Sequence, residues 1–160
     1  MRNLMVRLLV PALLLGALLT ACGGGGESAA KPYDPASTAK ALLDSSAFSE
    51  PLEAMKLDLV CGPLYDIDAA NVTDSAVYTS LTAGAEEIAV LTLKDEDTAK
   101  TALEALKTRV SDQTEALKDY QPEEVAKLDK AIVEQKGNSV LLVVAADADA
   151  AQEVLNGLDS

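Results

Sequence analysis

Histidine and tryptophan are absent from this chain of 160 residues, and there are only one phenylalanine, four tyrosines and two cysteines. Each shortage removes a class of chemistry. Without histidine there is no His-ligated zinc or haem and no Ser-His or Cys-His catalytic pair. Paired carboxylates suit glycoside hydrolysis in principle, but a sugar cleft usually brings tryptophans as well, and here there are none. Positive charge is scarce too, with 13 Lys+Arg against 26 Asp+Glu, a net charge of −13. Such a chain is repelled by nucleic acid, whose binding rests on phosphate neutralisation by basic residues. No catalytic constellation can be assembled, so the expectation is a noncatalytic protein with no cofactor and no metal centre. The length allows one modest domain.

What is present begins with an address. Arg2 and Arg7 precede an apolar run of twelve residues from Leu8 to Leu19. A spanning helix needs about 20 apolar residues, so this run reads as the h-region of a signal peptide over residues 1–21. Leu19-Thr20-Ala21-Cys22 resembles the bacterial lipobox. The resemblance implies recognition of Leu19, Thr20 and Ala21 by the lipoprotein signal peptidase, with a diacylglycerol on the Cys22 sulfur. Two or more acyl chains then give durable anchoring, since each buried methylene contributes about 0.8 kcal/mol. Cleavage removes two arginines and no acid, leaving 11 basic against 26 acidic residues, a net of −15. The expected location is the outer, extracytoplasmic face of the cell membrane, with the lipid on Cys22 as the membrane contact. Anionic headgroups repel the domain itself over a Debye length of about 8 Å. Cys61 would then be the one remaining thiol, so no intramolecular disulfide forms.

Residues 22–37 comprise the lipidated cysteine and a Gly, Ser, Ala and Pro tether, which reaches about 20 Å root-mean-square as a flexible coil. Residues 38–160 are expected to form a single α+β domain. Helical spacing starts at Thr38 and stops at Ser49-Glu50-Pro51; Leu57–Tyr65 is ambiguous; Asp66-Ile67-Asp68 reads as a turn. Residues 76–81 and 87–93 read as a hairpin of strands around Ala83-Gly84. Acidic residues Asp95-Glu96-Asp97 open a long helix, as suits the positive end of a helix dipole. Gln121-Pro122 ends it, and Pro122 opens a shorter one. A second hairpin, 131–135 and 139–145, and a helix from about Asp147 to Leu158 close the chain. The architecture this predicts is a two-layer sandwich: a mainly antiparallel sheet of about four strands with helices on one face. A shift of 52 positions lays Ile88 on Val140, Asp95 on Asp147 and Leu103 on Leu155. Two readings account for it: a duplicated strand-strand-helix unit, or the common look of any hairpin followed by an Asp-capped helix.

Arg109 is the sole arginine after residue 21, and Gln113 lies one turn further along the same helix face. Together they suit a carboxylate or phosphate, the guanidinium fork bidentately and the amide through one more bond. The alternative is an internal tie from Arg109 to Glu86 or Glu87 that braces helix against strand. The acidic clusters Asp66/Asp68, Asp95/Glu96/Asp97 and Asp147/Asp149 lack the spacing of an EF-hand loop and read as helix caps. Cys61, between Val60 and Gly62 with Leu64 nearby, reads as a buried structural thiol.

Taken in order, Gly84-Ala85-Glu86-Glu87-Ile88-Ala89-Val90, Arg109 with Gln113, Tyr120-Gln121-Pro122-Glu123-Glu124 and Gly137-Asn138 resemble the exported lipoproteins of domain of unknown function 4358, found mainly in single-membrane bacteria. Ser139 stands where that pattern has an aromatic. The resemblance covers most of residues 38–158 and implies an extracytoplasmic α+β domain with no known activity. Arg109, Gln113, Glu86, Glu87 and Tyr120 are the binding candidates it brings forward. The function expected is a membrane-anchored binding or accessory module for an envelope protein, with an exposed apolar or mixed patch on the free sheet face. A lipoprotein that binds a small anion or cation is the alternative.

Overall fold

The computed structural model describes residues 31–158. The signal peptide expected over residues 1–21, the Leu19–Cys22 motif and most of the expected tether lie outside the described residues. Within them the elements run α1 (Pro35–Leu43), β1 (Leu52–Ala54), α2 (Leu57–Val60), β2 (Val72–Ser80), β3 (Glu87–Leu93), α3 (Glu96–Leu117), α4 (Pro122–Leu128), β4 (Ile132–Lys136), β5 (Ser139–Val144) and α5 (Ala148–Leu158). All strand pairs are antiparallel, in the order β1-β2-β3-β5-β4.

The α+β class and the antiparallel sheet are as expected, and the two hairpins fall where the apolar runs placed them. Details differ for physical reasons. The sheet has five strands, because Leu52–Ala54 adds a short edge strand against Tyr78–Ser80. Three residues with Glu53 among them carry too little alternation to be legible. The domain also begins earlier than Thr38. Asp34 caps α1 by accepting from Ser37 N at 2.8 Å, with Pro35 in the first turn, where its fixed φ and missing N–H suit a helix start. Tyr33, expected in the tether, is 5 % exposed. Its N–H donates to Ser139 Oγ at 2.8 Å, its hydroxyl meets Glu134, and the Lys136 ammonium sits 4.3 Å above its ring.

Helices lie against both faces of the sheet, a correction to the single helical face expected. Ile88–Leu91 of β3 and Val140–Val144 of β5 are continuous apolar stretches, the signature of strands buried on both sides. Ala89, Leu91, Leu93, Val140, Leu142 and Val144 pack with Ala99, Ala102 and Leu106 of α3, with Leu128 of α4 and Val60 of α2. Ile88, Val90, Leu141 and Val143 face the other way, onto Ala39 and Leu42 of α1 and Ala151 and Leu155 of α5. The free sheet face expected to carry a docking patch is therefore covered over the central strands.

This placement also decides between the two readings of the 52-residue likeness. β3 and β5 are antiparallel neighbours with β2 and β4 outside them, yet α3 and α5 sit on opposite faces. With each second strand drawn upward and its hairpin partner on the left, one helix lies in front and the other behind. No rotation superposes the two units, so the likeness is the common pattern of a hairpin followed by an Asp-capped helix.

Candidate functional site

β3 starts at one end of the sheet with Glu87, directly preceded by Glu86, and adjacent side chains of an extended chain point opposite ways. Both are buried, and each is met by a cation from a different helix. Two polar clusters result, back to back around one strand end.

The first is built on Glu87. Its Oε2 accepts from Arg109 Nη2 of α3 at 3.0 Å, and its Oε1 accepts from the Tyr65 hydroxyl at 2.6 Å. The internal tie anticipated for Arg109 is thus present, bracing helix against strand. Burial first, then the Glu87 charge and hydrogen bond, push the Tyr65 phenol well above its ordinary value of 10, with Arg109 opposing. A group whose folded pKa is raised contributes stability that is full below the unfolded value and lost as pH rises. Alkaline titration followed at phenolate wavelengths should show Tyr65 ionising only above pH 10 and together with unfolding. The late step should be missing in Tyr65→Phe.

The second cluster is built on Lys127 of α4, whose Nζ lies 2.7 Å from Glu50, 2.9 Å from Glu86 and 2.8 Å from Glu124. Backbone donors hold the same carboxylates. Glu86 accepts from Ser49 N at 3.0 Å and Glu50 N at 3.1 Å, and Glu124 from Ala85 N at 2.7 Å. Ser80 and Thr82 donate hydroxyls to Glu50. The cluster clasps three stretches distant in sequence: residues 49–50 ahead of β1, the loop between β2 and β3, and α4. Burial works against charge on Lys127, but the bonds to Glu124, Glu50 and Glu86 outweigh it and raise its pKa above the ordinary lysine value. Burial likewise works against charge on Glu50, and the bonds from Lys127, Ser80 and Thr82 outweigh it, so its pKa is lowered. A β-carbon on Gly84 would run into the Glu50 carboxylate, which Lys127, Ser80 and Thr82 hold in place. Gly84→Ala should cost about 1–3 kcal/mol, the usual range for overpacking, measured by urea unfolding.

The binding candidates from the sequence thus separate. Arg109 and Glu87 meet; Glu86 belongs to the Lys127 cluster; Tyr120 stands in solvent at the turn after α3, 84 % exposed. Gln113 lies one turn beyond Arg109. Sequence reasoning missed Lys127, Glu124, Glu50 and Tyr65. The i, i+3 spacing of Glu124 and Lys127 behind Pro122 was a readable hint. Nothing local marks Glu50, 77 positions from its cation.

Asp95 accepts from Thr98 N at 2.7 Å, Asp68 from Ala70 N at 2.9 Å and Asp147 from Ala150 N at 3.0 Å, so these acids act as caps. Cys61 is buried, and burial first, then the Asp68 charge, raises its thiol pKa, the setting of an unreactive thiol. Among the described residues no helix is long and apolar enough to cross a membrane.

A family model described as "Domain of unknown function (DUF4358)" matches residues 55–145. The match spans more than half of the chain and takes in Glu86, Glu87, Arg109, Glu124 and Lys127, while α1 and β1 lie before it. No curated protein and no solved structure matches the chain.

Proposed function

We propose, since the chain belongs to the DUF4358 family, that it is a lipid-anchored extracytoplasmic module, noncatalytic, that serves another envelope protein. The Leu19-Thr20-Ala21-Cys22 motif behind a short apolar run supports the anchor. The observation that carries the choice of an accessory module over an ion-binding protein is the internal use of both partly buried cations. Arg109 is matched to Glu87, and Lys127 to three carboxylates. An incoming anion would have to displace a carboxylate already in place.

The position of Tyr33, next to the expected tether, supports assigning the partner to the opposite end of the domain. Tyr33 is seated by Ser139, at the end of β5 that pairs with Thr92. Val144, at the other end, pairs with Glu87, and α3 runs the same way from Glu96 to Leu117. Leu81, 59 % exposed, and Tyr120 are therefore at the end opposite the tether. With the central sheet faces covered, that end is where a partner is met.

Cys22→Ala is expected to shift the protein from the membrane fraction to the soluble fraction; unchanged retention would reject the anchor. A photoreactive residue at 120 in intact cells should cross-link to a defined envelope protein. The same residue at Lys100, near the tether end of α3, should not. Equal yields from both positions, or none from either, would count against the partner reading.

A further inference from the structure

We propose that Arg109 Nε and Gln113 Oε1 form a two-point binding site for a hydroxyl group. Both atoms are buried, and neither has a hydrogen-bond partner among the described residues. They come from residues one turn apart on α3, whose side chains are neighbours on the helix surface. Most buried polar side-chain atoms are paired, so two on adjacent turns call for a shared ligand. One atom is a donor and the other an acceptor, which selects the ligand chemistry: a hydroxyl accepts from the guanidinium and donates to the amide. A second anion is disfavoured because the Glu87 carboxylate, 2 % exposed, already sits 3.0 Å from the same guanidinium. A cation is disfavoured by the arginine itself. The occupant is neutral, either an ordered water or an alcohol group of a sugar or polyol. The inference goes beyond the anchored-module reading and does not depend on it.

The test is nitrogen-15 NMR of the full chain in buffer free of polyols, then with glycerol added. The Arg109 Nε–H signal, assigned through its backbone connectivity, is expected to exchange more slowly than that of free arginine at the same pH and to show a nuclear Overhauser contact to water. Transfer of that contact to glycerol identifies an alcohol site, and its persistence on water identifies a hydration site; both support the proposal. Gln113→Leu should abolish the contact while the rest of the spectrum stays folded, and Gln113→Met, closer in length, should do the same. Fast exchange of the Arg109 signal, no contact to water or glycerol, or a contact unchanged in both variants would overturn the proposal.

Discussion

Replacing Lys127 with methionine is expected to lower the unfolding free energy by about 3–5 kcal/mol, the usual cost of removing one partner from a buried ion pair. The ammonium is matched to three carboxylates whose side chains are 15 %, 0 % and 10 % exposed. Methionine has the length and apolar stem but no charge, so the backbone donors to Glu86 and Glu124 remain while the three carboxylates repel one another in a poorly hydrated space. Lys127→Arg keeps the charge and should cost less. The pH dependence has a definite sign. Glu50 has a lowered pKa, so it contributes stability above its ordinary value of 4.5 that is lost as pH falls through the lower folded value. Without Lys127 the burial effect on Glu50 is less opposed, and acid unfolding should begin at higher pH. Lys127 itself has a raised pKa, so its contribution is complete below the ordinary 10.5 and fades only as pH rises beyond it. The variant should lack that alkaline loss. Urea unfolding by circular dichroism across pH checks both limbs. A variant as stable as the wild type at neutral pH would mean that the clasp holds nothing together.

The sequence was legible where one short-range pattern decided the outcome. Glu87–Leu93 and Ser139–Val144 form strands because their runs are apolar and β-branched, and Asp95 opens α3 because its side chain satisfies a free N–H. What long-range packing decided was out of reach. Which face of the sheet each helix covers is set by packing: α1 and α5 read alone do not say which face they cover, and they lie on the face opposite α3. Tyr33 looked like tether because its neighbours are polar and small; its burial comes from Ser139 and Glu134, more than 100 positions away. In the candidate site the split was similar. Arg109 stood out as the one arginine after residue 21, and its tie to the Glu86-Glu87 pair could be named. The Lys127 clasp could not, because a lysine among many shows its worth only once Glu50 and Glu86 are folded against it.

Arg109→Met separates an arginine that holds the fold from one that serves a ligand. The variant leaves Glu87, 2 % exposed, with only the Tyr65 hydroxyl, and the stability loss expected is about 3–5 kcal/mol. Adding Glu87→Leu removes the uncompensated charge, and apolar replacement of a whole buried pair is often neutral or stabilising. Much of the loss should then return. Recovery should be incomplete, because the Tyr65 hydroxyl loses its acceptor, and an unsatisfied buried group costs about 1–3 kcal/mol. Tyr65→Phe on that background should restore the remainder. The expected order of stability is therefore the single variant lowest, the double above it and the triple highest, read by urea unfolding at neutral pH. That order requires Arg109 to act through Glu87 and Tyr65. If the single variant is instead as stable as the wild type, the guanidinium does not hold α3 to the sheet, and its charge is free for a ligand or partner.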